Sequence, residues 1–168
     1  MRHFQINGNL IQESELDYDK FCDVVCNVRN LYIKEFGEDL MNSIDLLIDN
    51  STRGSGYTPN ITPILCKYLI IKLNIKKEDT ESNIIFQIAH ELMHYVFYAI
   101  KGINKEMADE REESICTAAS LIAIKEFYQQ EFPLYYNHVK NLENKAYRKG
   151  AQIAESVEFN FQKLKELI

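Results

Sequence analysis

Apolar residues recur along this chain with different spacings, and the spacing changes from segment to segment. Early in the chain Phe21, Val24, Val25, Val28, Leu31 and Tyr32 follow helical spacing. Ser14, with Asp17 three residues on, predicts the start of that helix, and Gly37 predicts its end. Asn7-Gly8, between Phe4-Gln5-Ile6 and Leu10-Ile11, predicts a hairpin. Residues 44–48 and 66–74 are short runs rich in Ile, Leu and Tyr, which predict strands. Between them, residues 50–63 carry Gly54, Gly56, Pro59 and Pro63 and read as a loop.

The run from 83 to 101 differs from all of these. It has no Pro and no Gly, and its only charged residue before Lys101 is Glu91. Asp79 or Thr80 caps it and Gly102 closes it, so the reading is a buried helix. A second helix spans about 105–132 and stops at Pro133. Residues 134–168 are mostly helical with a polar exterior and a break near Gly150. Strands followed by helices predict an α+β fold. The expected architecture is a small, mostly antiparallel sheet packed on two helices, with a helical C-terminal segment. Residues 1–168 read as one domain, and 134–168 either pack on its core or offer a partner surface.

The polar residues inside the buried helix carry the chemistry. They read His90-Glu91-Leu92-Met93-His94. On a helix, residues four apart lie on one face, so two imidazoles can grip one ion. A carboxylate next to the first His lies beside the open side of that ion. Two core histidines without a metal would leave the lone Glu91 unexplained, because an unpaired buried charge is costly. The expected cofactor is one Zn2+ per chain, held by His90 and His94, with Glu91 as general base.

A third ligand is expected from the next helix. An antiparallel helix starting near Glu106 comes level with His94 at position 112 or 113, at a rise of about 1.5 Å per residue. Lys125, Glu126 and Gln129 mark a solvent face. The opposite face carries Ser120, Cys116 and Glu113, with Glu112 off to the side. The reading favours Glu113 over Glu112, with Thr117 positioned to steady a ligand.

Composition narrows the field of partners. The chain has 168 residues, a formal net charge of −6 and four cysteines without a Cys-x-x-Cys pair. An acidic chain does not favour nucleic acid, and unpaired cysteines fit a reducing compartment. No secretion signal or membrane span is evident, so the expectation is a cytoplasmic protein with no membrane partner.

His90-Glu91-x-x-His94 followed by Glu113 on a later helix resembles the gluzincin class of zinc metallopeptidases. Residues 66–125, with Ala118-Ala119-Ser120-Leu121-Ile122, also resemble the ImmA/IrrE-type peptidases, which act on repressor proteins inside cells. The chain departs from that family at Met93, Cys116 and Thr117, and has no Pro after Ile124. The resemblance implies a metallopeptidase, a hydrolase whose substrate is an intracellular protein or peptide.

In such an enzyme Glu91 takes a proton from the attacking water and passes it to the leaving amine. A second electrophile is expected among Tyr128, Tyr135, Tyr136, His138 and Tyr147, and the substrate-binding residues stay open. The strand at 67–73 is either a wall of the cleft or an interior strand. A non-catalytic zinc sensor is the first alternative; its closed site would need a fourth ligand, with His3 and His138 the remaining histidines. A helical interaction module is the second, with Val139, Leu142, Ala146, Ile153, Val157 and Leu164 as its apolar stripe.

Overall fold

The computed structural model describes residues 3–7, 17–50, 58–76 and 79–168. Ser14 and the Leu10-Ile11 arm of the expected hairpin lie outside them. Helix α1 (Tyr18–Phe36) starts at Asp17, whose side chain accepts from the Lys20 N–H, and ends at Gly37 with φ 93°. All six of its expected apolar positions are buried. A short α2 (Glu38–Met41) leads into the sheet.

Among the described residues the sheet has four strands: β1 (Phe4–Ile6), β2 (Asp45–Asp49), β3 (Asn60–Ile64) and β4 (Tyr68–Lys72), in the order β1-β2-β4-β3. The fold is α+β, but the sheet is mixed rather than mostly antiparallel. β1 pairs parallel with β2, β2 parallel with β4, and only β3 pairs antiparallel with β4. The segment 50–63 is thus not all loop, because its end forms edge strand β3.

Helix α3 (Glu81–Lys101) carries the His-Glu-x-x-His segment through the centre of the molecule. Thr80 caps it by accepting from the Asn83 N–H, and Gly102 at φ 94° ends it. From Ile88 to Tyr98 every residue is buried, as expected of a helix that is apolar on all sides. Buried hydroxyls fix its position. Tyr32 donates to the Ala89 carbonyl at 2.5 Å, Tyr95 to the Ile44 carbonyl at 2.9 Å, and Ser120 to the Phe86 carbonyl at 3.0 Å. Each removes a polar group that burial would otherwise leave costly.

Helix α4 (Glu110–Phe127) starts later and stops earlier than the sequence pattern predicts. Asp109 caps it through the Glu112 N–H, and Tyr128 follows its end. Pro133 then opens α5 (Phe132–Lys140), where a first-turn proline loses no helical hydrogen bond. Helices α6 (Lys145–Ser156) and α7 (Phe161–Lys165) complete the chain. The tail packs on the core: Val139, Ala151, Ala154, Val157, Phe161 and Leu164 are buried in it.

Gly150 does not break the tail helix. It lies inside α6 at the closest approach to α4. A Cβ there would lie 2.6 Å from the Thr117 Cβ and 2.8 Å from the Ser114 carbonyl oxygen. Alanine normally favours a helix interior over glycine by about 1 kcal/mol. Here the clash with α4 should reverse the sign, and Gly150→Ala should destabilise by roughly 1–3 kcal/mol. Chemical denaturation would show a lower midpoint, and a raised midpoint would contradict the close packing.

Candidate metal centre

His90, Glu91 and His94 line one cleft of about 750 Å³. Opposite them, α4 contributes Glu113, and α6 contributes Tyr147 with its cap Asn144. Residues 58–63 form another wall.

The donor atoms converge. His90 Nε2 lies 3.3 Å from Glu113 Oε2, and His94 Nε2 lies 3.4 Å from Glu113 Oε1. Neighbouring ligands about 2.1 Å from a tetrahedral ion are about 3.4 Å apart, so each contact has the spacing of two ligands on one metal ion, through a different Glu113 oxygen for each histidine. Bonds to His90 and His94 hold the Glu113 carboxyl well below the usual carboxylate range. Burial opposes charge on His94. Cys116, Glu112 and Glu113 overcome it and push the imidazole well above its ordinary value.

Cys116 lies behind the pair, fully buried. Burial pushes its thiol up to about 12, against the pull of His94. One ligand atom each from His90, His94 and Cys116 lie within 4.8 Å of one another, so this buried group could hold a metal ion. The sequence reading did not weigh Cys116 as a donor. His3 is exposed and bonded to Asp45 at 2.9 Å, and His138 is exposed on α5; neither lines the cleft.

The two adjacent glutamates divide differently from the expectation. Glu112 is not off to the side. Its side chain is 5% exposed and meets His94 Nδ1 at 2.8 Å, whereas the Glu113 side chain is 35% exposed and faces the cleft. Nor does α4 have a solvent face at this level. It is buried from Ser114 to Ile124, held between α3 and α6. Exposed residues at its far end therefore say little about its phase at residue 113. Thr117 donates to the Glu113 main-chain carbonyl at 2.9 Å and packs against Gly150.

Glu91 is 3% exposed, and burial raises its carboxyl above the ordinary range despite the two histidines. Among the described residues, its Oε2 and His90 Nδ1 are the buried side-chain atoms without a hydrogen-bond partner.

Of the five polar candidates beyond α3 and α4, only Tyr147 lines the cleft. Its ring stacks on His90, with centroids 5.9 Å apart and planes at 19°. Burial, then the charges of Glu113 and Glu91, raise its hydroxyl and keep it protonated. Tyr128 bonds Glu81, Tyr135 bonds Asn83, and Tyr136 bonds Glu155. The signal for Tyr147 was Gly150 one turn later, where α6 meets α4.

Strand 67–73 is interior, since β4 pairs on both sides; the wall is β3. Pro63 has no N–H, so its pairing with Leu69 is of the non-hydrogen-bonded kind. Thr62 and Ile64 then bond β4, and the main chain of Ile61 and Pro63 turns to the side of β3 that no other described strand covers.

The chain matches no protein-family model, no curated protein and no solved structure. Among the described residues, no helix is long and apolar enough to cross a membrane.

Proposed function

We propose that the chain is a zinc-dependent peptidase of gluzincin type that hydrolyses a peptide bond in a cytoplasmic protein or peptide. His90 and His94 would hold the ion through Nε2, and Glu113 through its carboxylate. The observation that carries this reading is Glu91. A buried carboxylate with an unpaired oxygen costs stability, and here it lines the cleft beside three converging donors. A purely structural site has no use for it.

When bound, zinc supplies a Lewis acid and lowers the pKa of a coordinated water to about 7. Glu91 accepts the proton of the attacking water and returns it to the departing amine. The protonated Tyr147 hydroxyl donates to the substrate carbonyl oxygen as negative charge grows on it. The substrate main chain extends along β3, pairing with Ile61 and the Pro63 carbonyl.

A second reading has one observation in its favour. Cys116 offers a buried donor within reach of both histidines, and a non-catalytic site closed away from the cleft would use it in place of Glu113. Metal analysis and a quenched-peptide library assay on the parent, His94→Ala, Cys116→Ser and Tyr147→Phe separate the two. The catalytic reading expects one zinc per parent chain and none in His94→Ala. It expects Cys116→Ser to keep both metal and hydrolysis, and Tyr147→Phe to keep metal while hydrolysis falls by about 10²–10³-fold. Loss of zinc in Cys116→Ser would favour the closed site. A parent without zinc ends both.

A further inference from the structure

His90 and His94 are held in place by different means. His90 has no partner at Nδ1 and leans on the Tyr147 ring. His94 Nδ1 meets Glu112 Oε1 at 2.8 Å, and the same oxygen receives Lys105 Nζ at 2.7 Å. All three side chains are nearly inaccessible: 7% for His94, and 5% each for Glu112 and Lys105. A buried lysine and a buried glutamate are both rare unless paired, and here each satisfies the other. Lys105 also packs over the Tyr98 ring, 4.4 Å from its centroid.

We propose that Glu112 is a positioning residue for His94 and that Lys105 fixes Glu112 in turn. The inference rests on the zinc-centre reading above. A carboxylate oxygen accepts from Nδ1–H, so this bond keeps a proton on Nδ1, and Nε2, which faces Glu113 and the cleft, would be the nitrogen that gives up its proton to take the ion. Glu112 cannot itself be a ligand at that centre, because it occupies the far side of the ring. Lys105 belongs to the connection between α3 and α4, so the chain Lys105–Glu112–His94 ties that connection to the centre. Lys105 also offsets the charge of Glu112, which would otherwise be buried beside Glu113.

The test is zinc affinity of the full chain, measured by chelator competition, for the parent, His94→Ala, Glu112→Ala, Glu112→Gln and Lys105→Met. Glu112→Ala should weaken zinc by about 10–100-fold. Glu112→Gln should recover most of that loss, since its amide oxygen still accepts from Nδ1–H. Lys105→Met should fall between them. In the zinc-loaded parent the His94 Nδ1–H proton should be protected from exchange, and in Glu112→Ala it should exchange freely. If unpaired Lys105 unfolds Glu112→Ala, the double variant Glu112→Ala/Lys105→Met removes both charges and should show the same weakened affinity in a folded chain.

Zinc held by Glu112→Ala or the double variant as tightly as by the parent overturns the positioning role and leaves the centre standing. Equal weakness of the Gln and Ala variants overturns it too, because the acceptor would then be irrelevant. Failure of the parent to bind zinc more tightly than His94→Ala overturns the centre, and this inference with it.

Discussion

Glu91→Gln should take up zinc as the parent does and lose hydrolysis by about 10²–10⁴-fold, the usual contribution of a general base. The two side chains have the same shape, so the buried site should keep its packing. Gln still bonds a water molecule, but its amide cannot accept the proton. Glu91 is not among the converging donors. His90 and His94 meet Glu113 instead, at 3.3 and 3.4 Å. Affinity and rate should therefore separate in this variant, which distinguishes it from any ligand substitution. The measurement pairs metal content with kcat on whichever library peptide the parent cleaves. A variant that cleaves at the parent rate would remove Glu91 from the mechanism. One that loses zinc as well would make Glu91 a ligand.

The helix that carries Glu91 was legible because every local signal agreed. Thr80 caps it, Gly102 ends it, and the residues between them are apolar on all sides. Strand β3 was illegible for the opposite reason. Pro59, Asn60 and Pro63 are poor strand residues, and the segment is a strand only because β4 pairs with it. The turn joining them passes through Leu65 and Cys66 at φ 53° and 51°, without the Gly or Asn that marks such turns. A proline at a sheet edge is compatible with pairing when its missing donor faces outward, and local composition cannot reveal that.

The start of α4 failed for a related reason. Lys105 fits a helix by propensity, but its ammonium turns inward to Glu112, and the helix begins only at the Asp109 cap. Gly150 likewise has two local meanings, helix break and close approach, and only the position of Thr117 and Ser114 decides between them. The pair Glu112 and Glu113 shows the limit most clearly. Helix geometry brings both to the right height, but burial does not mark the residue facing the centre. The one turned toward the cleft is the more exposed, and the buried one stands behind the histidine.

That inversion sets the second large effect. Glu113→Ala should weaken zinc by more than the ~10–100-fold expected on loss of an orienting partner such as Glu112. It removes the carboxylate that bridges the two Nε2 atoms, and leaves two imidazoles to hold the ion. Hydrolysis should not return at high zinc, because a two-histidine site no longer fixes the ion beside Glu91. Glu112→Ala should behave differently: its defect lies in affinity, so saturating zinc should restore much of the rate. Titrating both variants with zinc while following hydrolysis distinguishes them. Glu113→Gln should resemble Glu113→Ala in rate, since a neutral amide is a poor zinc ligand. Stoichiometric, tightly held zinc in Glu113→Ala would take the carboxylate out of the ligand set. If Cys116→Ser then lost the metal, the centre would be a His90–His94–Cys116 site and the gluzincin resemblance would fail at its third ligand.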